Sequence, residues 1–131
     1  MIFLSNAALR YAVEVCAEIP SYQVIVTALT DKLPGVQREL INLANQICGT
    51  EVYWIKSSCK SSCNRTEIYL KNGSHIMLTP ANESMRGYRS NLLIADRDID
   101  RETLETVFYA KEILDMFDYN EYHRQKGKET L

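Results

Sequence analysis

No stretch of this 131-residue chain approaches the roughly 18 to 20 consecutive apolar residues that a membrane-spanning helix needs. No charge of one sign dominates: 15 Lys and Arg against 17 Asp and Glu give a formal net charge of -2. That excludes a strongly basic nucleic-acid footprint spread over the whole chain. Internal repeats and low-complexity segments are missing as well. The N-terminal apolar run is broken by Arg10, Glu14 and Glu18, charges that a secretory signal would not carry. The chain is therefore read as cytoplasmic, and its four cysteines as reduced. Cys59 and Cys63 form a CxxxC spacing without a second compact pair, while Cys48, His75 and His123 are scattered. Zinc ligands normally come as two compact pairs, so no metal and no cofactor is expected. A redox pair or a Cys–His nucleophile has no local signature either.

What is present fits one globular unit. Hydrophobic residues make up 46% and charged residues 24%, enough apolar surface for a core without disulfide staples. Ser5 or Asn6 can cap a helix from Ala7, along which Ala8, Leu9, Ala12, Val13, Cys16 and Ala17 recur at helical spacing. Tyr22 to Ala28 is a β-branched run bounded by turn residues, the pattern of a buried strand. Pro34 suits the first turn of a second helix, with Val36, Leu40, Ile41, Ala44 and Ile47 on one face and Gly49 as a stop. Glu51 to Ile55 predicts a short strand and Ser57 to Asn64 a polar loop. Glu67 to Leu70 and His75 to Leu78 flank Lys71-Asn72-Gly73-Ser74, and Asn-Gly between apolar runs is a strong hairpin signal. Asn91 to Ala95 predicts another buried strand ending at Asp96. A long helix follows from Arg101, with Leu104, Val107, Phe108, Leu114 and Phe117 inward. The element order predicts an α/β fold: a largely parallel sheet with an antiparallel hairpin, flanked by helices. A single domain spans 1–120, and 121–131 form a polar tail.

In such sheets, sites gather at the carboxyl ends of strands, here near Thr27–Thr30, Ser57, Thr79–Asn82 and Asp96. An acid at the tip of a buried strand is where a Walker B aspartate holds magnesium. It is also a common turn cap. The whole segment from Glu67 to Asp96 widens the choice. Asn72-Gly73-Ser74-His75-Ile76, then Arg86-Gly87, then Leu92-Leu93-Ile94-Ala95-Asp96 resemble, in order and spacing, the ATPase domain of the large terminase subunit, the motor that packs DNA into phage heads. Val24 to Ala28 and the helix with Val36 and Gln37 look like that family's second strand and helix. The resemblance implies a partial phosphate-loop NTPase-like fold. It also makes Arg86 a candidate arginine finger or partner contact; pairing with Glu83 is the plainer alternative.

Two departures from the family speak against catalysis. A phosphate loop needs GxxxxGK[ST], so that backbone N–H groups wrap the phosphates and a lysine neutralises them. The five glycines, at 35, 49, 73, 87 and 127, offer no such pair. A strand stub near Ile2-Phe3-Leu4 instead runs directly into the first helix. Arg97 stands where the family has the glutamate that activates water; arginine cannot accept that proton, and its charge opposes a magnesium ion on Asp96. Asp96-Arg97 is thus a degenerate Walker B pair, and no catalytic residue is expected. The resemblance then implies an inactive phage or prophage protein in the host cytoplasm, working through protein contacts. Partners of that kind are a packaging motor, a host defence protein such as a CRISPR effector, or a second copy of the chain. A fragment of a working motor is the alternative; truncation would explain a missing loop but not Arg97. A further reading takes Lys56, Lys60, Arg65 and Lys71 as phosphate contacts beside Tyr53 and Trp54, which could stack on bases. Against it stands an ordinary solvated face over an aromatic pair.

Overall fold

Ser5 opens the first helix as anticipated. Its extended backbone leaves the side chain free to accept from the Ala8 N–H at 3.1 Å, satisfying one of the free donors of the first turn. In the computed structural model, which describes residues 1–57, 65–81 and 90–108 (without the side chains of 106–108), strand β1 is Ile2–Phe3 and helix α1 is Asn6–Glu18. Strand β2 (Gln23–Thr27) and helix α2 (Leu33–Ile47) follow, then β3 (Val52–Ser57), β4 (Thr66–Leu70), β5 (His75–Thr79), β6 (Leu92–Ala95) and α3 (Arg101–Phe108). The polar loop beyond Ser57, with Cys59, Lys60 and Cys63, lies outside the described residues. So do the loop carrying Arg86, the long helix beyond Phe108, and the tail over 121–131.

The six strands form one sheet in the order β1-β6-β2-β5-β4-β3. Pairings β1–β6, β6–β2 and β2–β5 are parallel, while β5–β4 and β4–β3 are antiparallel. The fold is α/β with a mixed, mostly parallel sheet. Successive residues of a strand point to opposite faces. Val24, Val26, Ile68, Ile76, Leu78 and Ile94 share one face with the buried stripes of α1 and α2. Ile25, Met77 and Leu93 form a second cluster on the other face. There Ala95 meets Ile99 and Leu104 of α3.

Most strand and helix ends differ from the sequence expectation by a residue; β3 and one face of α1 differ more. Glu51 is not in the strand: Gly49–Glu51 make a 3-10 turn, with Gly49 at φ 54, and Glu51 O accepts from Lys71 N. The strand runs on instead to Ser57, paired with Thr66. On α1, Val15 is buried and Ala17 is exposed, and the hairpin turn grips the end of the helix. Asn72 Nδ2 donates to Cys16 O at 2.8 Å and Ser74 Oγ donates to Ile19 O at 2.7 Å. Ser74 Oγ also accepts from Tyr22 N at 3.0 Å. The turn itself needs Gly73, at φ 87. The Asn-Gly-Ser triplet therefore staples the α1–β2 junction as well as reversing the chain.

Among the described residues, no helix is long and apolar enough to cross a membrane.

Candidate functional site

Strands β2 and β6 are parallel neighbours, yet β2 leads into α2 on one face and β6 into α3 on the other. Where adjacent strands send their connections to opposite faces, a crevice opens at their carboxyl ends, the usual ligand position in α/β sheets. Here that crevice is bordered by Leu29, Thr30, Pro80, Ala81, Asp98 and Thr103 and has a volume of about 340 Å³.

Asp96, at the tip of β6, is only 4% exposed and is not among the residues lining the crevice. Its backbone N–H donates to Thr27 O at 3.0 Å, which continues the parallel ladder one residue past the strand. Its carboxylate accepts from three donors. Asp98 N lies 3.1 Å from Oδ1, Lys32 Nζ 3.1 Å from Oδ1, and Leu29 N 3.4 Å from Oδ2. Burial pushes this carboxyl up, but the Asp98 N–H, the Lys32 ammonium and the Leu29 N–H together outweigh it and hold it below the ordinary aspartate value. Lys32 also reaches Asp98 Oδ2 at 2.7 Å. Those two carboxylates, Asp98 first, raise the Lys32 ammonium above its ordinary value. The Asp96 carboxylate is thus paired with an internal cation.

Lys32 was invisible to the sequence argument. It carries no motif, and it meets Asp96 across 64 residues only because β2 and β6 are neighbours. Arg97, whose charge was expected to oppose a magnesium ion on Asp96, is turned toward β1. Its guanidinium lies over the Phe3 ring, 4.3 Å from the centroid, a cation–π contact that ties the β6 tip to β1. The cation on Asp96 is Lys32. Asp98 and Asp100 are committed too. Asp100 accepts from the Glu102 and Thr103 N–H groups at 3.2 Å each and caps α3.

Only Leu4 and Ser5 separate β1 from α1, and Leu4 N is already bonded to Ala95 O at 2.7 Å. No loop long enough to surround a phosphate lies between them. Among the described residues, no group of three His, Cys, Asp or Glu side chains is placed to hold a metal ion.

Among the described residues, Lys56, Arg65 and Lys71 do not share one end of the β3–β4 pair. Lys56 and Arg65 lie at the Ser57–Thr66 end, whereas Lys71 lies beyond the Val52–Leu70 end. Lys56 stands opposite Glu67, and the Arg65 guanidinium donates to Met77 Sδ at 2.9 and 3.2 Å. Lys60 and Arg86 lie outside the described residues. Trp54, Tyr69 and His75 stack across three strands of the face opposite α1 and α2. Burial pushes the His75 imidazole below its ordinary pKa despite Glu67 Oε1 at 3.6 Å, so the stack ends in a neutral ring at pH 7.

No family model, curated protein or solved structure matches the chain.

Proposed function

We propose that this chain is a catalytically inactive, terminase-ATPase-like phage or prophage protein that acts through protein contacts, modulating a DNA-packaging motor or inhibiting a host defence system such as CRISPR. The observation that carries the inactive part is the Lys32–Asp96 ion pair. A Walker B aspartate must offer its carboxylate to magnesium. Here the ammonium and two backbone N–H groups take up the carboxylate. The two-residue junction between β1 and α1 and the arginine at position 97 support the same reading. An acid at the tip of a strand beside β2, with helices on both faces, supports kinship with phosphate-loop motors at the level of topology.

With its nucleotide chemistry removed, such a domain retains surface, and Arg86 is the residue the resemblance assigns to contact with a neighbouring subunit. Calorimetry with ATP and magnesium tests the inactive reading: no heat of binding is expected, and binding that Asp96→Asn abolishes would overturn it. Affinity capture from phage-infected cells tests the partner. Enrichment of packaging subunits or a defence effector, weakened by Arg86→Ala, is expected; capture indifferent to that substitution would remove Arg86 from the contact.

A further inference from the structure

Glu67, Tyr69 and His75 share the sheet face away from α1 and α2. Tyr69 and His75 are cross-strand partners on β4 and β5, and Glu67 stands opposite Met77 one step along the same face. The side chains of His75 and Glu67 are only 15% and 16% exposed. The imidazole stacks on Tyr69, with centroids 4.4 Å apart at 16°, and Tyr69 stacks on Trp54 at 5.4 Å.

The two ring nitrogens of His75 differ. Nδ1 faces Gln23 Oε1 of β2 at 3.1 Å. That oxygen accepts, so Nδ1 holds the hydrogen of the neutral ring and Nε2 keeps a lone pair. Nε2 is buried and has no hydrogen-bond partner. What it meets instead is a second acceptor, Glu67 Oε1, at 3.6 Å, beyond hydrogen-bond length. A buried acceptor left without a donor is costly, and one proton between these two atoms would satisfy both. The carboxylate already has a donor in the Tyr69 hydroxyl. Burial first, then the charge of Glu67 and a hydrogen bond to it, hold that phenol above its ordinary pKa.

We propose that His75, Glu67 and Tyr69 form a proton-operated switch in which one carboxylate changes partner. With His75 neutral, Glu67 accepts from the Tyr69 hydroxyl. When Nε2 takes a proton from solvent, the carboxylate moves onto it and the hydroxyl is released. The pair passes from one negative charge to none, and the bistable element is the carboxylate with its two alternative donors. Among the described residues, the charges that bear on the ring come from β4 and the residue before it. Burial opposes the proton most strongly, Glu67 favours it, and Arg65 opposes it. Gln23 on β2 is neutral, and Lys56 on β3 is the register partner of Glu67. The balance holds His75 below its ordinary value of 6.5, so the switch works in mildly acid solution. The Tyr69 ring beneath tolerates the charge through cation–π attraction. Because the folded value is the lower one, the stability His75 contributes is present above the unfolded value and is lost as pH falls through the folded one. The acid state is therefore the looser one. This inference is independent of the reading of Asp96.

The chain has two histidines, His75 and His123, and one tryptophan, Trp54, at the far end of the stack. Nuclear magnetic resonance of isotope-labelled imidazoles, titrated from about pH 8 to pH 5, assigns His75 by its absence in His75→Phe. The expected results are the Nδ1–H tautomer at the alkaline end, a midpoint below 6.5, and a step in Trp54 emission at that midpoint with circular dichroism unchanged. His75→Phe keeps a flat ring in the stack and is expected to abolish the step. Glu67→Gln removes the charge at constant size and is expected to move the His75 midpoint to lower pH. Tyr69→Phe keeps the stack but removes the competing donor, and is expected to move the midpoint to higher pH. Any of four results would overturn the proposal: the Nε2–H tautomer, a midpoint at or above 6.5, a midpoint indifferent to Glu67→Gln or to Tyr69→Phe, or an emission step that coincides with loss of circular dichroism. The last would assign the transition to acid unfolding.

Discussion

Asp96→Asn separates a structural carboxylate from a catalytic one. The side chain keeps its size but loses its charge and one of its two acceptor oxygens. Hydrogen bonds to a charged group contribute roughly 1.5–3 kcal/mol each. The three at Asp96 share one carboxylate, so they do not add. The Lys32 arm opens to solvent, with its side chain 41% exposed, and is screened; the two backbone donors carry most of the effect. Asparagine can still accept from one of them. A net loss of about 2 kcal/mol at pH 7 follows, and for a chain of this size that lowers the melting temperature by about 7 °C. The pH dependence has a definite sign. The folded-state pKa of Asp96 is depressed from 3.8, so its stabilisation is complete above the unfolded value and disappears as pH falls through the folded one. Urea unfolding of both proteins should therefore give a constant gap from about pH 7 to pH 5 that narrows below about pH 4. Equal stability at pH 7, or a gap that persists unchanged at about pH 2, would refute the role given to this carboxylate.

Gly73→Ala should cost about 1–2 kcal/mol. The backbone sits at φ 87, and an added Cβ would lie 3.0 Å from Ser21 Oγ. Thermal unfolding checks this, and an unchanged midpoint would contradict it. Cys16 should resist iodoacetamide in the native protein at pH 8. Burial first, and Cys48 second, push its thiol up to about 12, leaving about one part in 10,000 as thiolate. Mass spectrometry of protein labelled before and after unfolding measures it; label on Cys16 before unfolding would show that the helix pair opens.

The elements were legible wherever a local rule decides them. Val24-Ile25-Val26 could only be a buried strand. Asn72-Gly73 could only be a tight turn, and Ser5 caps the helix it precedes. The strand boundary at Glu51 was misjudged because a 3-10 turn can extend a helix end without any apolar signal. The Lys32–Asp96 pair was only half legible. Asp96 announced itself at the end of an apolar strand, whereas Lys32 is an unremarkable lysine until the strand order brings it there. The hairpin bases show the converse: Lys56 and Arg65, close in sequence to Lys71, fall at the other end of the β3–β4 pair.

The Asn-Gly-Ser turn also bears on how the chain folds. Its sequence is the most locally determined in the molecule, yet its polar groups find partners at Cys16, Ile19 and Tyr22, 52 to 56 residues away. A hairpin can reverse there early, but the turn cannot be satisfied until α1 and β2 have docked, after the loop-closure entropy of that separation has been overcome. The staple then belongs to the native side of the folding barrier. Loosening it should speed unfolding while leaving the folding rate nearly unchanged, so the turn governs the lifetime of the folded chain more than the rate at which it forms.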